Sequence, residues 1–142
     1  LIVTGVQTCA LPILGGDFAS FASAGAYGVG NSAIVSNTTS DTVLDISQNN
    51  VGDISANVGL VTEGAGDQAL ASSAAYGNVV TGSLCGQQCG DGQATLNANN
   101  TQINSGAVHA SAAIHAREAN TIAGTATAIG NAATYQSTGP GG

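Results

Sequence analysis

Two cysteines, Cys85 and Cys89, bracket Gly86-Gln87-Gln88 inside a glycine-rich stretch from Gly82 to Gly92. Thiols four residues apart across a flexible loop can close a small disulfide. That chemistry suits an oxidising compartment, where proteins with thin cores use covalent staples. Free thiols are the plainer alternative. A metal site needs a second ligand pair of similar spacing, and the sequence has none. A redox site calls for two residues between the thiols at a helix start, which this segment does not offer. The only histidines, His109 and His115, stand six apart. On a strand that separates them by roughly 20 Å, so they cannot share an ion and read as surface residues.

The remaining reactive types are scattered. Asp17, Asp41, Asp45, Asp53, Glu63, Asp67, Asp91 and Glu118 are the eight acids. Calcium-binding repeat loops carry Gly-Gly-x-Gly-x-Asp in tandem, and Gly90-Asp91-Gly92 is only a fragment of that pattern. Gly28-Val29-Gly30-Asn31-Ser32-Ala33 matches the dinucleotide fingerprint in form alone. That fingerprint needs a buried strand before it and a helix after it. Here Ser20 to Ala26 is small and polar, and Asn37-Thr38-Thr39-Ser40 follows. With no Lys and only Arg117, Schiff-base chemistry and phosphate clamps are absent. No catalytic, cofactor-binding or metal residue is assigned, and the chain reads as a non-enzyme.

Composition sets the elements that must carry these residues. Of 142 residues, 43% are hydrophobic, but much of that is Ala, and aromatics are 4%. Burying a Val, Ile or Leu is worth roughly 1.5–3 kcal/mol, and Ala far less. A core this thin suits closely stacked strands held by backbone ladders. Charged residues are 6% and the net charge is −7. A phosphate backbone needs Lys and Arg to neutralise it, so nucleic acid is excluded as a partner, as is electrostatic docking to anionic membranes. No transmembrane span is expected. Asn, Gln, Ser and Thr must keep the surface wet. The 21 glycines also fit a disordered low-complexity chain, against which the regular placement of Val, Ile and Leu argues.

One motif recurs. Val29-Gly30-Asn31-Ser32-Ala33, Tyr76-Gly77-Asn78-Val79-Val80 and Ile129-Gly130-Asn131-Ala132-Ala133 are spaced by 47 and 53 residues. Such periods point to solenoids, propellers or arrays. Gly and Asn tolerate positive φ, so Gly30-Asn31, Gly77-Asn78 and Gly130-Asn131 are expected as turns that close each unit. Asn side chains are also expected to stack in ladders between successive coils. A second alignment sets Asp45-Ile46-Ser47-Gln48-Asn49-Asn50 against Thr95-Leu96-Asn97-Ala98-Asn99-Asn100 at an offset of 50, with Val58 against Val108. The units then run about 19–68, 69–120 and 121–142, the last partial. Val108, Ala110, Ala112, Ile114 and Ala116 alternate with His109, Ser111, Ala113, His115 and Arg117, which predicts a half-buried strand. An Ala-rich helix over 106–119 is the competing reading. The fold class expected is all-β, a β-solenoid or stacked β-repeat array with a small-residue core.

The opening Leu1–Leu14 reads as a segment apart. Val3-Thr4-Gly5-Val6-Gln7-Thr8-Cys9-Ala10-Leu11-Pro12-Ile13 is what a common short-read sequencing adapter encodes in one frame. On that reading 1–14 is non-native, 15–142 is a truncated β-repeat domain, and Cys9 enters no disulfide or catalytic argument. The alternative is a truncated signal peptide ending near Ala22-Ser23-Ala24, an A-x-A pattern.

Thr125-Ala126-Thr127-Ala128-Ile129-Gly130-Asn131-Ala132-Ala133-Thr134-Tyr135, Ala71-Ser72-Ser73-Ala74-Ala75-Tyr76-Gly77-Asn78 and the Asn-Asn tracts resemble the holdfast-anchor proteins of stalked α-proteobacteria, the HfaD type. The resemblance spans about residues 19–138. It implies a secreted, outer-membrane-associated surface protein of a Gram-negative bacterium that anchors adhesive polysaccharide to the cell envelope. Polysaccharide, other surface-protein subunits or a homopolymer are then the partners. Two alternatives stand beside it: a curlin-like self-assembling fibre subunit, whose regular repeat of about two dozen residues is missing here, and a fragment of a β-helical polysaccharide-active enzyme.

Overall fold

The computed structural model describes residues 2–4, 9–10, 13–16, 21–38, 41–85 and 95–138. Every regular element among them is a strand. They are β1 (Ile2–Thr4), β2 (Cys9–Ala10), β3 (Ile13–Gly16), β4 (Phe21–Thr38), β5 (Thr42–Asn50), β6 (Ile54–Cys85), β7 (Leu96–Asn104) and β8 (Val108–Thr138). The protein is therefore all-β. All pairing between these strands is parallel. β1, β5 and β7 form one sheet, and β6 lies between β2, β3 and β4 on one side and β8 on the other. Each ladder thus has three levels: β1–β4 first, β5–β6 second, β7–β8 third.

β6 has 32 residues. Fully extended, it would span about 100 Å. It instead folds back on itself, because Ile54, Ala56, Val58 and Leu60 share one core with Ala69, Ala71 and Ala75 of the same strand. Two features let it bend. The register with β8 shifts between Thr62 and Ala65. The second feature is the Gly77-Asn78 step, where two successive residues both point inward and the buried positions pass from odd to even numbers. A second core lies beyond that step, with Ala33, Val80, Leu44 and Ile46 packed together and Val35 and Leu96 at its margin. It holds β5 against the far ends of β4 and β6.

These registers correct two expectations. The Gly-Asn steps are not turns, since all three lie inside β4, β6 and β8. The glycines need no left-handed backbone either; φ is not positive at Gly30, Gly77 or Gly130. Gly30 and Gly77 are required by close approach, whereas a Cβ on Gly130 would meet only Asn104, no closer than an ordinary 3.5 Å. A Cβ on Gly30 would lie 2.5 Å from the Gly77 carbonyl oxygen and 2.9 Å from Asn50 Oδ1, and one on Gly77 would fall on the Gly130 carbonyl oxygen. The ladder accordingly skips the glycines, passing from Val29↔Tyr76 to Asn31↔Asn78 and from Tyr76↔Ile129 to Asn78↔Asn131.

The offset of 50 is also wrong. Asp45 pairs with Asn99 and Asn50 with Asn104, while Val58 pairs with Ala112 rather than Val108. The offset there is 54, because the sharp bends are at Gly52 and Gly106, between β5 and β6 and between β7 and β8. Asn50 Nδ2 donates to the Gly52 carbonyl at 2.8 Å, and Asn104 Nδ2 to that of Gly106 at 2.9 Å, so Asn-x-Gly makes the corner. The expected unit boundaries at 68/69 and 120/121 fall inside β6 and β8. The alternation over 108–116 is a strand, with Val108, Ala110, Ala112, Ile114 and Ala116 packed on the core. Gly28 to Ala33 likewise lies within β4, and no helix follows it among the described residues. The described parts of 1–14 pair with Ser47–Asn49, Ser55–Ala56 and Gly59–Leu60.

Candidate functional site

The inward side of the chain holds amides where the two apolar cores meet. Asn31 Nδ2 donates to Asn78 Oδ1 at 2.7 Å, and Asn78 Nδ2 donates to Asn131 Oδ1 at 2.7 Å. The second amide hydrogen of Asn78 goes to the Ile103 carbonyl at 2.8 Å, tying β6 to β7 across the interior. Asn50 Nδ2 donates to Asn104 Oδ1 at 2.6 Å, and Gln102 Nε2 to Gln48 Oε1 at 2.7 Å. Gln48 and Gln102 reach the carbonyls of Val79 and Ala132, both at 3.1 Å. A buried amide left unpaired costs about 1–3 kcal/mol, so each rung fixes the register of its neighbours. The expected Asn ladder is therefore present, at Asn31, Asn78 and Asn131. Gly30 and Gly77 leave the room that the amides of Asn50 and Asn104 occupy.

The outward side is mostly small and polar, with exposed Ile34 and Val43 among its apolar members and Asp45, Asp67 and Arg117 among its charges. Ser36, Ser83 and Gln136 fall in one row, and Ile34, Thr81 and Thr134 in the next. Neighbouring levels are bridged by Ser111 Oγ donating to Asn57 Oδ1 at 2.6 Å and by Asn99 Nδ2 donating to Asp45 Oδ1 at 3.2 Å. Asp41 accepts from both the backbone N–H and the hydroxyl of Thr95 at 2.8 Å, which holds its carboxyl below the usual aspartate value of 3.8. Two tyrosines of this wall approach each other. Tyr27 is 63% exposed, and its ring lies 5.6 Å from that of Tyr76, tilted by 52°. They form an aromatic platform beside Ser72 and Ala74. Tyr76 stands just before Gly77 of the recurring motif, whereas Tyr27 lies three residues before the motif's Gly30, so the recurrence does not pair them.

Tyr135 points the other way. Its ring fills the space left by Gly82, whose Cβ would lie 2.8 Å from Tyr135 Cδ1. Burial raises its phenol above 10.0, against an opposing hydrogen bond from Asn100. Among the other expected site residues, Cys85 is disulfide-bonded, and Cys89 lies outside the described residues. His109, His115 and Arg117 are exposed on the outward face. Among the described residues no three His, Cys, Asp or Glu gather as metal ligands, and no helix is long and apolar enough to cross a membrane.

The class defined here is an all-β protein of parallel strands in three levels, with interior amide ladders and a polar outer wall. No protein-family model, curated protein or solved structure matches the chain.

Proposed function

We propose that the chain is a β-solenoid segment of an extracellular structural protein that anchors adhesive polysaccharide at a bacterial surface. The observation that carries this reading is the outward pair Tyr27 and Tyr76, with the exposed hydroxyls of Ser72, Thr125 and Thr127 at neighbouring register positions. Sugar rings present C–H faces that pack on aromatic faces, while their hydroxyls exchange hydrogen bonds with Ser, Thr and Gln. With one cation and a net charge of −7, the wall suits a neutral glycan rather than an acidic one. Each contact is weak, and repetition along a polymer raises the total. The resemblance to holdfast-anchor proteins adds the surface location and the partner class.

Co-sedimentation of the purified chain with cellulose, chitin and dextran particles tests the proposal. The expected result is retention on at least one glycan, with Tyr27→Ala/Tyr76→Ala bound about tenfold more weakly. Both rings face outward, so the circular dichroism spectrum of the double variant should stay that of the parent. Retention on none of the three, or retention unchanged by the double substitution, sinks the glycan reading.

A further inference from the structure

Tyr27 and Tyr76 stand on adjacent levels of one outward sheet face. Tyr27 pairs with Ala74 and Val29 with Tyr76, so the two tyrosines are diagonal neighbours across the β4–β6 ladder. At that offset aromatic side chains still reach each other. Their ring centroids are 5.6 Å apart and their planes are tilted by 52°, a contact geometry for aromatic pairs. Gly25 and Ala74 lie beside them on the same face and leave the rings room to move. Tyr27 is exposed and Tyr76 half-buried, so a reagent in solution reaches the pair.

The rest of the chain offers an oxidant few other targets. Free thiols and Met are the side chains that oxidise most readily. The sequence has no Met, no Trp and only three tyrosines. Cys85 is already disulfide-bonded, the state that an oxidising compartment produces. The third tyrosine, Tyr135, is turned away from the pair. Its ring fills the space over Gly82, and Asn100 hydrogen-bonds its phenol.

From these observations we infer that Tyr27 and Tyr76 form a cross-linking site, where a peroxide-driven one-electron oxidant joins the two rings as dityrosine. Each phenol gives up one electron and its hydroxyl proton. The two phenoxyl radicals couple through ring carbons next to their oxygens, which forms one carbon–carbon bond. Each of those carbons then loses its hydrogen as a proton while the oxygen regains one, and both rings are aromatic again. The pair loses two hydrogen atoms in all, and one hydrogen peroxide takes them up to become two waters. The new bond joins β4 of the first level to β6 of the second. It closes a long loop of chain, which restricts the unfolded state and so stabilises a protein whose core is largely Ala. The inference rests on ring geometry and composition, not on glycan binding.

The test is treatment of the purified chain, its free thiols first alkylated, with a haem peroxidase and hydrogen peroxide. We expect a monomer lighter by two hydrogen atoms, dityrosine fluorescence, and a digest product that joins the segments holding Tyr27 and Tyr76. Tyr27→Phe and Tyr76→Phe keep the ring contact but remove one phenol, and each should lower the yield of cross-linked monomer about tenfold, because coupling loses its held partner. Tyr135→Phe should leave that yield unchanged. A folded monomer that gains no cross-link overturns the inference. So does a yield that survives Tyr27→Phe or Tyr76→Phe, a yield that falls with Tyr135→Phe instead, or dityrosine found only in covalent dimers.

Discussion

The inner faces of β4 and β8 have the same shape and opposite fates. Both pair with one strand, β6, and both bend at a Gly-Asn step in the same register. Their inward residues are similar too: Ala24 and Ala26 on β4 correspond to Gly124 and Ala126 on β8. Yet Ala24 and Ala26 are buried, while Gly124 and Ala126 are exposed. Composition therefore does not explain the difference. What differs is the side on which the single neighbour lies. A β-strand here is half of a packing unit, and the next level supplies the other half.

That contrast can be broken most strongly in the apolar core. Leu60→Ala removes a side chain that is 1% exposed in the second level and should cost about 3 kcal/mol in urea unfolding. Ile122→Ala, at the open third level, should cost under about 1 kcal/mol, because half of the side chain is already in water. Equal losses would show that β8 is covered in solution.

The amides give the next largest effect. Asn78→Ala removes the middle rung and strands the Asn31 amide, the Asn131 oxygen and the Ile103 carbonyl. A loss of about 2 kcal/mol is expected, against about 0.5 kcal/mol for Asn131→Ala at the exposed end. The glycines sharpen the comparison further. Gly77→Ala drives a Cβ onto the Gly130 carbonyl oxygen and the Asn104 amide, and should cost about 1.5 kcal/mol. Gly124→Ala meets nothing closer than 3.7 Å and should be near neutral. Thermal melts of the pair decide whether close approach, rather than backbone freedom, selects glycine at the kink.

The smallest effects are electrostatic. The Asp41 carboxyl titrates below its unfolded value because Thr95 donates two hydrogen bonds to the charged form. Its contribution is complete above pH 3.8 and is lost as pH falls through the lowered value. In Thr95→Ala the hydroxyl bond is gone, so an NMR titration should find Asp41 closer to 3.8. Tyr135 has the opposite sign. Its raised phenol contributes below pH 10.0, and that contribution is lost as pH rises through the raised value.

Much of this architecture is legible in the chain. The Gly-Asn recurrence gives the level-to-level register without error, since Asn31, Asn78 and Asn131 pair as the sequence aligns them. Alternation over 108–116 gives the half-buried strand. The corner at Asn50-Val51-Gly52 and its counterpart Asn104-Ser105-Gly106 went unread, because aligning Asn-Asn with Asn-Asn hid the true offset of 54. The kink was misread because Gly-Asn favours positive φ in isolated turns, whereas here an amide from the facing strand needs the space. The Tyr27–Tyr76 platform was missed for a similar reason. Their positions in sequence differ by 49, while the ladder sets Tyr27 on Ala74, and only a diagonal approach brings the rings together.

The sequence by itself determined that this is a β protein with small inward residues, few charges and amides at repeated positions. Those properties follow from period-two alternation and from composition, which need no knowledge of what lies across the core. Tertiary structure alone decided where inside and outside exchange, at Asn78, and which amides meet. It also decided that Ala22, Ala24 and Ala26 of β4 are covered while Ile122, Gly124 and Ala126 of β8 are exposed. Those outcomes depend on the side from which the neighbouring level approaches, and a one-dimensional pattern carries no such direction.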